Sequence, residues 1–288
     1  MEFRQARCDD AALQEYLVFF QRCFPHARHY SIAYLRWLYR ENPTGSVFGY
    51  DAYDGGRLAA HYVCIPTPLR IEGATVPGAL SLDTATDPEY QGRGLFTKLA
   101  TRTYERSAEL GHRAVIGVAN RNSTPGMVRR LGFQLVSPLD AQIGIGSLDV
   151  GDWNVVEAGT TLRRSWTPEL LSWRLHNPSN PVGMKLTKYK TLGFFARTFT
   201  PGISCWAERR DSSPKPAPES SRLSASGWHA RLFIGLFPEG AAARRCYVGI
   251  PDRLRRSPLN FIYKPLTAAP ASIDGAEVLF DFLDFDAF

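Results

Sequence analysis

The residues best suited to chemistry lie in one run, Ser81-Leu82-Asp83-Thr84-Ala85-Thr86-Asp87-Pro88-Glu89-Tyr90-Gln91-Gly92-Arg93-Gly94-Leu95-Phe96-Thr97-Lys98-Leu99. Gly92 and Gly94 let the backbone turn sharply and approach a ligand closely. A helix starting at Leu95 leaves its first N–H groups unpaired and aimed at one spot, where the helix dipole favours negative charge. Arg93 and Lys98 add positive charge. Charge-assisted hydrogen bonds contribute about 1.5–3 kcal/mol each, so several together suit a pyrophosphate. The run lacks the G-x-x-x-x-G-K-[ST] of a Walker loop and the third glycine of a dinucleotide fingerprint. Its plain alternative is a strand-to-helix turn with no ligand.

The elements that must position this loop follow from hydrophobic period. Apolar residues at helical spacing predict a helix over 11–22, and Ser31 caps a second over 31–40 that Asn42-Pro43 ends. The period then changes to two, giving strands over 47–53 and 58–65 around the turn Asp54-Gly55-Gly56. Residues 69–71, the turn Glu72-Gly73 and a strand over 76–86 lead into the loop. A helix over 95–110 closed by Gly111, a buried strand over 114–118, a helix near 125–130 and another strand follow. This order is that of an α/β layout around a central sheet.

A chain of 288 residues with 44% apolar and 22% charged side chains forms an ordinary core without disulfide or metal staples. It divides into an expected first domain over 1–150 and a second α/β half over 151–288. The second half echoes the first: Leu171-Ser172-Trp173 leading to Asn177-Pro178 resembles Leu35-Arg36-Trp37 leading to Asn42-Pro43. Two readings stand open, a tandem pseudo-repeat whose second copy lost its cofactor loop, and coincidence in a common helix ending. Strand-like runs follow over 184–189, 192–199 and 204–208. Residues 211–227, rich in Ser, Pro and Ala, read as a long surface loop or mobile segment. At the end of the chain, aromatics alternate with Asp281, Asp284 and Asp286, which predicts a strand with one wet face.

The net charge of +6 fits a solvated basic surface or attraction for an anionic ligand. The arginines are scattered, as in Arg129-Arg130, Arg163-Arg164 and the group Arg253, Arg255 and Arg256, so nucleic acid is not the expected partner. Five cysteines without C-x-x-C spacing predict free thiols in a reducing cytoplasm rather than a disulfide framework or zinc site. Neither a signal-peptide core nor a membrane-length apolar stretch is present in the sequence. The expected protein is soluble and cytoplasmic, with no membrane partner and no metal.

Gln91, Gly92-Arg93 and Gly94 fit the pattern [QR]-x-x-G-x-[GA], and the stretch resembles motif A of the GNAT superfamily of acyl-CoA-dependent N-acyltransferases. Phe96 departs from the small residue usual there. Asn120-Arg121-Asn122-Ser123 followed by Arg130-Leu131-Gly132-Phe133 resembles the superfamily's motif B, and order and spacing agree over about residues 57–136. The resemblance implies a mixed, mostly antiparallel central sheet flanked by helices, acetyl-CoA or a longer acyl-CoA as co-substrate, and direct attack of a neutral amine on the thioester. It implies that backbone groups of Thr84, Ala85 and Thr86 line the pantetheine arm. The loop Gln91, Gly92, Arg93, Gly94, Leu95, Phe96 and Thr97 would hold the pyrophosphate, and Asn120 and Asn122 the coenzyme arm or reaction centre. Asp83, near the expected thioester, and His61, on the adjacent strand, are the candidate catalytic residues. Their plain alternatives are an aspartate bonded to backbone and a core histidine. His26, His29 and Glu41 are weaker candidates near the acceptor wall.

The tyrosine that the family often uses as acid is replaced by Val128. A strong base is not evident either, which favours an amine of low pKa. A narrower resemblance of Ala60-His61-Tyr62 and of 78–84 and 94–100 to a bacterial subgroup points to an amino sugar, carried on a nucleotide, as acceptor. The competing expectations are a protein-Lys or peptide N-terminal acetyltransferase, and an acyl-CoA-binding regulatory module without turnover.

Overall fold

The computed structural model describes residues 1–187, 189, 191–210, 229–240, 245–255 and 257–285. From the N-terminus come β1 (Glu2–Gln5), α1 (Asp10–Cys23), α2 (Ile32–Tyr39), β2 (Phe48–Asp54) and β3 (Arg57–Pro66). Next are β4 (Leu69–Ile71), β5 (Ala74–Val76), β6 (Ala79–Thr86), α3 (Leu95–Glu109), β7 (Ala114–Ala119), α4 (Thr124–Leu131), β8 (Gln134–Pro138) and β9 (Asp140–Gly144). Then follow α5 (Trp153–Ala158), β10 (Leu162–Arg164), α6 (Pro168–Leu175), β11 (Gly183–Leu186), β12 (Thr191–Arg197) and β13 (Ile203–Arg210). The last are β14 (Ala230–Leu236), β15 (Tyr247–Gly249), β16 (Asn260–Pro265) and β17 (Val278–Asp281).

These elements form two units. The first comprises Met1–Pro68, Val76–Leu135 and Ile262–Ser272. Its seven-stranded sheet has the order β1-β2-β3-β6-β7-β16-β8, antiparallel from β1 to β6 and parallel between β6 and β7. Apolar side chains at helical spacing on α3, among them Leu95, Leu99 and Tyr104, bury against Ala60 and Tyr62 of β3, Val115 of β7 and Ile262 of β16. The predicted Ser31 cap is present, its hydroxyl accepting from the Tyr34 amide at 3.1 Å.

The second unit comprises Leu69–Thr75, Val136–Phe261 and Ile273–Phe288. Its sheet runs β11-β12-β13-β14-β17-β10-β4-β5, with β9 and β15 paired beside β14. Period two is visible in β12 and β13: Phe194 and Cys205 bury in one cluster with α6, Phe195 and Trp206 in another with Val156 of α5. The sheet therefore has a core on each face.

Three expectations change. The division does not fall at 150, because β4, β5 and the last strands distribute between the units, and residues Ile262–Ser272 return to the first. The predicted strand over 76–86 breaks at Pro77, which has no N–H to donate; β5 ends at Val76 and β6 starts at Ala79. The C-terminal strand is only Val278–Asp281, and Asp281 and Asp284 lie on no wet face. Both are buried and paired with Arg209 of β13, the cation that buried carboxylates need. Residues 211–227, Arg256 and Asp286 lie outside the described residues.

The echo between the halves has a local counterpart. α2 and α6 are each eight residues long and capped by a hydroxyl, Ser31 or Thr167, accepting from the amide three residues on. After each helix a buried asparagine accepts from the amide two residues later, Asn42 from Thr44 at 3.1 Å and Asn177 from Ser179 at 2.9 Å.

Candidate active site

The glycine loop is anchored before it begins. Asp87, buried at the end of β6, accepts from Arg22 of α1 at 2.7 Å and from Arg57 of β3 at 2.9 Å, and caps a 3-10 turn over Pro88–Tyr90. Burial pushes the Asp87 carboxyl up, but the Glu89 amide and the two guanidinium groups outweigh this and hold it below its ordinary range. Gly92 and Gly94 then take φ of 76° and 71°, the left-handed region open to glycine. The space a Cβ would fill at either is empty. Gly94 starts α3 without a side chain to cap it, so the first amides of the helix remain for a ligand. Arg93 is exposed, stacked 4.7 Å over the Tyr90 ring and donating to the Glu89 carbonyl at 3.1 Å. The Thr97 hydroxyl is buried without a hydrogen-bond partner. Phe96 is accommodated because residue 126 is glycine: a Cβ there would lie 2.9 Å from the Phe96 ring.

The strands next to the loop separate. β6 and β7 pair at Ala79↔Val115, Leu80↔Ile116 and Ser81↔Gly117, and no further. Beyond that step Ala85 and Thr86 pair with His61 and Ala60 of β3. Their other backbone edge, like that of Thr84, is not paired with β7. The Thr86 carbonyl accepts from Gln91 Nε2 at 3.4 Å. Asn120 and Asn122 stand exposed at the end of β7, where Asn120 Oδ1 accepts the amides of Asn122 at 2.9 Å and Ser123 at 3.0 Å. That oxygen is thus engaged in the turn into α4.

At the separation the β3–β6 register slips between His61 and Val63, and Asp83 takes a φ of +43°. The bulge re-aims the Asp83 carboxylate. Its Oδ1 accepts from the Tyr30 hydroxyl at 3.2 Å and its Oδ2 from the Tyr39 hydroxyl at 3.0 Å. Tyr39 Oη lies 2.8 Å from His61 Nε2, and His61 Nδ1 lies 2.6 Å from Asp51 Oδ1. Asp51 Oδ2 accepts from the Tyr16 hydroxyl at 2.6 Å. His61 and Asp51 are buried, so His61 reaches the site only through Tyr39 and Asp83. Burial, and then the Asp83 charge, raise the Tyr39 phenol well above 10, which keeps it a neutral donor.

The structure brings Asp83 and His61 into one network, but His26 and Glu41 are exposed and outside it. His29 packs on Tyr30, with ring centroids 4.1 Å apart. Sequence reasoning missed Tyr16, Tyr30, Tyr39 and Asp51. Asp51 lay one residue out of reach: counting back from the hairpin turn at Gly55-Gly56 sets it opposite Ala60, and a register shift between Ala52 and Tyr53 brings it opposite His61.

Residues 3–136, just under half of the chain, match the profile of the family described as an acetyltransferase (GNAT) domain. No curated protein matches the sequence. Among solved structures, a GCN5-related N-acetyltransferase from Anabaena variabilis aligns with TM-score 0.58 and 14% identity, over 92% of this chain and 73% of its own. Eis1 from Mycobacterium abscessus aligns with TM-score 0.59 and 15% identity, over 93% and 74%. A protein from Enterococcus faecalis described as a probable N-acyltransferase gives 0.56 and 12%, over 92% and 73%. At such identities the likeness carries the fold, a mixed α/β GNAT fold. The enzyme class comes from the matched domain.

Proposed function

We propose that this chain, an acyl-CoA-dependent transferase built on a GNAT acetyltransferase domain, moves an acyl group to the primary amine of a small molecule, with Asp83 receiving the amine proton. The observation that carries this reading is the hydrogen-bond chain that begins at Asp83, beside the separated strands. Where His61 donates from Nδ1 to Asp51 and accepts at Nε2, the single Tyr39 proton cannot serve both Asp83 and Nε2. One hydrogen bond is then unmade. A proton delivered to Asp83 completes the chain: Asp83 donates to Tyr39 and Tyr39 to His61. The network accepts one proton at its open end without moving a side chain.

Acyl-CoA would bind with its pyrophosphate on the amides of 91–97 and its pantetheine arm along Thr84, Ala85 and Thr86. When bound it supplies the thioester. The chain's own residues hold the amine near Asp83, take its proton and exclude water. Tyr30, bonded to Asp83, clusters with Phe20 and Phe24, with centroids 4.5 Å apart for Phe20–Tyr30, 6.2 Å for Phe24–Tyr30 and 6.4 Å for Phe20–Phe24. Rings beside a carboxylate attract a compact ammonium group. This supports an amino sugar, including one carried on a nucleotide, as acceptor. The five free thiols fit a cytoplasmic protein, and no described helix is long and apolar enough to cross a membrane.

The test is thiol release from acetyl-CoA and longer acyl-CoAs with nucleotide-linked amino sugars, free amines and Lys peptides, using Gly94→Trp as the loop-blocked control. Acceptor-dependent release with an amino sugar, abolished in the control, is expected. Release with Lys peptides alone would overturn the acceptor assignment. Coenzyme binding without turnover on any amine would favour a regulatory module.

A further inference from the structure

The second unit contains a cavity of about 260 Å³ that the acyl-transfer reaction does not use. It lies beside β10, where Arg163 stands directly opposite Arg70 of β4 in the antiparallel ladder. Like charges so placed repel. The next residue, Arg164, also lines the cavity and is only 4% exposed, yet its Nε and Nη2 have no hydrogen-bond partner. Its guanidinium packs 4.2 Å from the Trp166 ring centroid. Burial pulls the Arg164 guanidinium down to about 9, and burial lowers that of Arg163 as well.

The carboxylates at the cavity are already engaged. Glu157 pairs with Arg210 at 3.7 Å. Asp284 accepts from Arg209 at 3.2 Å, from Trp166 Nε1 at 3.2 Å and from the Asp281 amide at 2.8 Å. Asp281 pairs with Arg209 too. Among the residues lining the cavity, four arginines (70, 163, 164 and 209) face two carboxylates (157 and 284), an excess of two positive charges. A buried guanidinium with orphaned N–H groups and a like-charged pair on its rim is costly unless an anion completes it.

We infer that this cavity binds a small dianion, a phosphomonoester or a dicarboxylate, through Arg70, Arg163 and Arg164. Guanidinium forks match both oxyanions in paired hydrogen bonds. The remaining wall, with Leu171, Phe194 and Leu279, takes the organic part. The volume falls just below the usual range for drug-sized ligands of about 300–1,000 Å³, so the ligand is compact.

Inorganic phosphate and malonate are the probes, titrated calorimetrically into the full-length protein against sodium chloride at matched ionic strength. Saturable binding of at least one is expected, weakened about tenfold or more by Arg163→Gln and by Arg70→Gln. Phosphate alone would mark a phosphomonoester site, malonate alone a dicarboxylate site. Arg164→Met should raise the melting temperature of the free protein while removing the rise caused by the anion, a pair of effects that simple misfolding cannot give. Any phosphate held by the loop at 91–97 would be indifferent to these three variants. Binding no stronger than that of chloride, or binding untouched by Arg163→Gln and Arg70→Gln, would overturn the site.

Discussion

Asp83 holds a backbone conformation that costs an ordinary residue about 1–2 kcal/mol, and such strain persists where the surroundings fix it. Here the fixing groups are the Tyr30 and Tyr39 hydroxyls. Asp83→Asn should lower kcat/KM about 100-fold at pH 7. The deficit should shrink as pH rises toward the amine's own pKa, where neutral amine no longer needs a base. Tyr39→Phe cuts Asp83 from His61 and should cost about tenfold. Undiminished rates in both variants, with melting temperatures unchanged, would remove the relay. Asp83 and His61 were legible as candidates because a carboxylate and an imidazole lie on predicted neighbouring strands. Their connection was not, since it runs through Tyr39 at the end of α2, and no short-range pattern ties a helix terminus to a strand 44 residues away.

At the scale of elements, the loop owes its placement to Asp87, which joins α1, β3 and the turn before Gly92. Asp87→Ala leaves Arg22 and Arg57 without this partner and the turn without its cap, and should destabilise the protein by about 2 kcal/mol at pH 7. The carboxyl is held below its ordinary value of 3.8 in the fold. Its contribution is therefore present above that value and disappears as pH falls through the lower folded one. Denaturant unfolding of both proteins should show the difference at pH 7 and its loss in acid; a constant difference would refute the linkage. Helix positions were legible from their caps and period: Ser31 and Gly111 mark ends that the structure retains. The strand entering the loop was less so, because an apolar run hides the interruption at Pro77, and its first part pairs in the other sheet.

For the whole molecule, the two units are not consecutive pieces of chain. β16 lies between β7 and β8 in the first sheet although its residues follow most of the second unit in sequence. A fragment ending at 150 lacks β16 and with it Ile262, buried in the first core. We expect such a fragment to aggregate or to unfold without a cooperative transition in circular dichroism, since open strand edges and uncovered apolar faces promote association. A soluble fragment with a sharp transition would show that the first unit closes without β16. Sequence pattern identified several strands of the first sheet but not β16, and period-two alternation does not say which sheet a strand joins.

The same interleaving sets a timetable for the ribosome. After Ala119 leaves the peptidyl-transferase centre, 146 further residues must be joined before Pro265, about 7–30 s at ordinary elongation rates. Through that interval β7 has β6 on one side and an open edge on the other. Nascent chains should then depend on chaperones that shield open strand edges, and slower translation should lengthen the exposure.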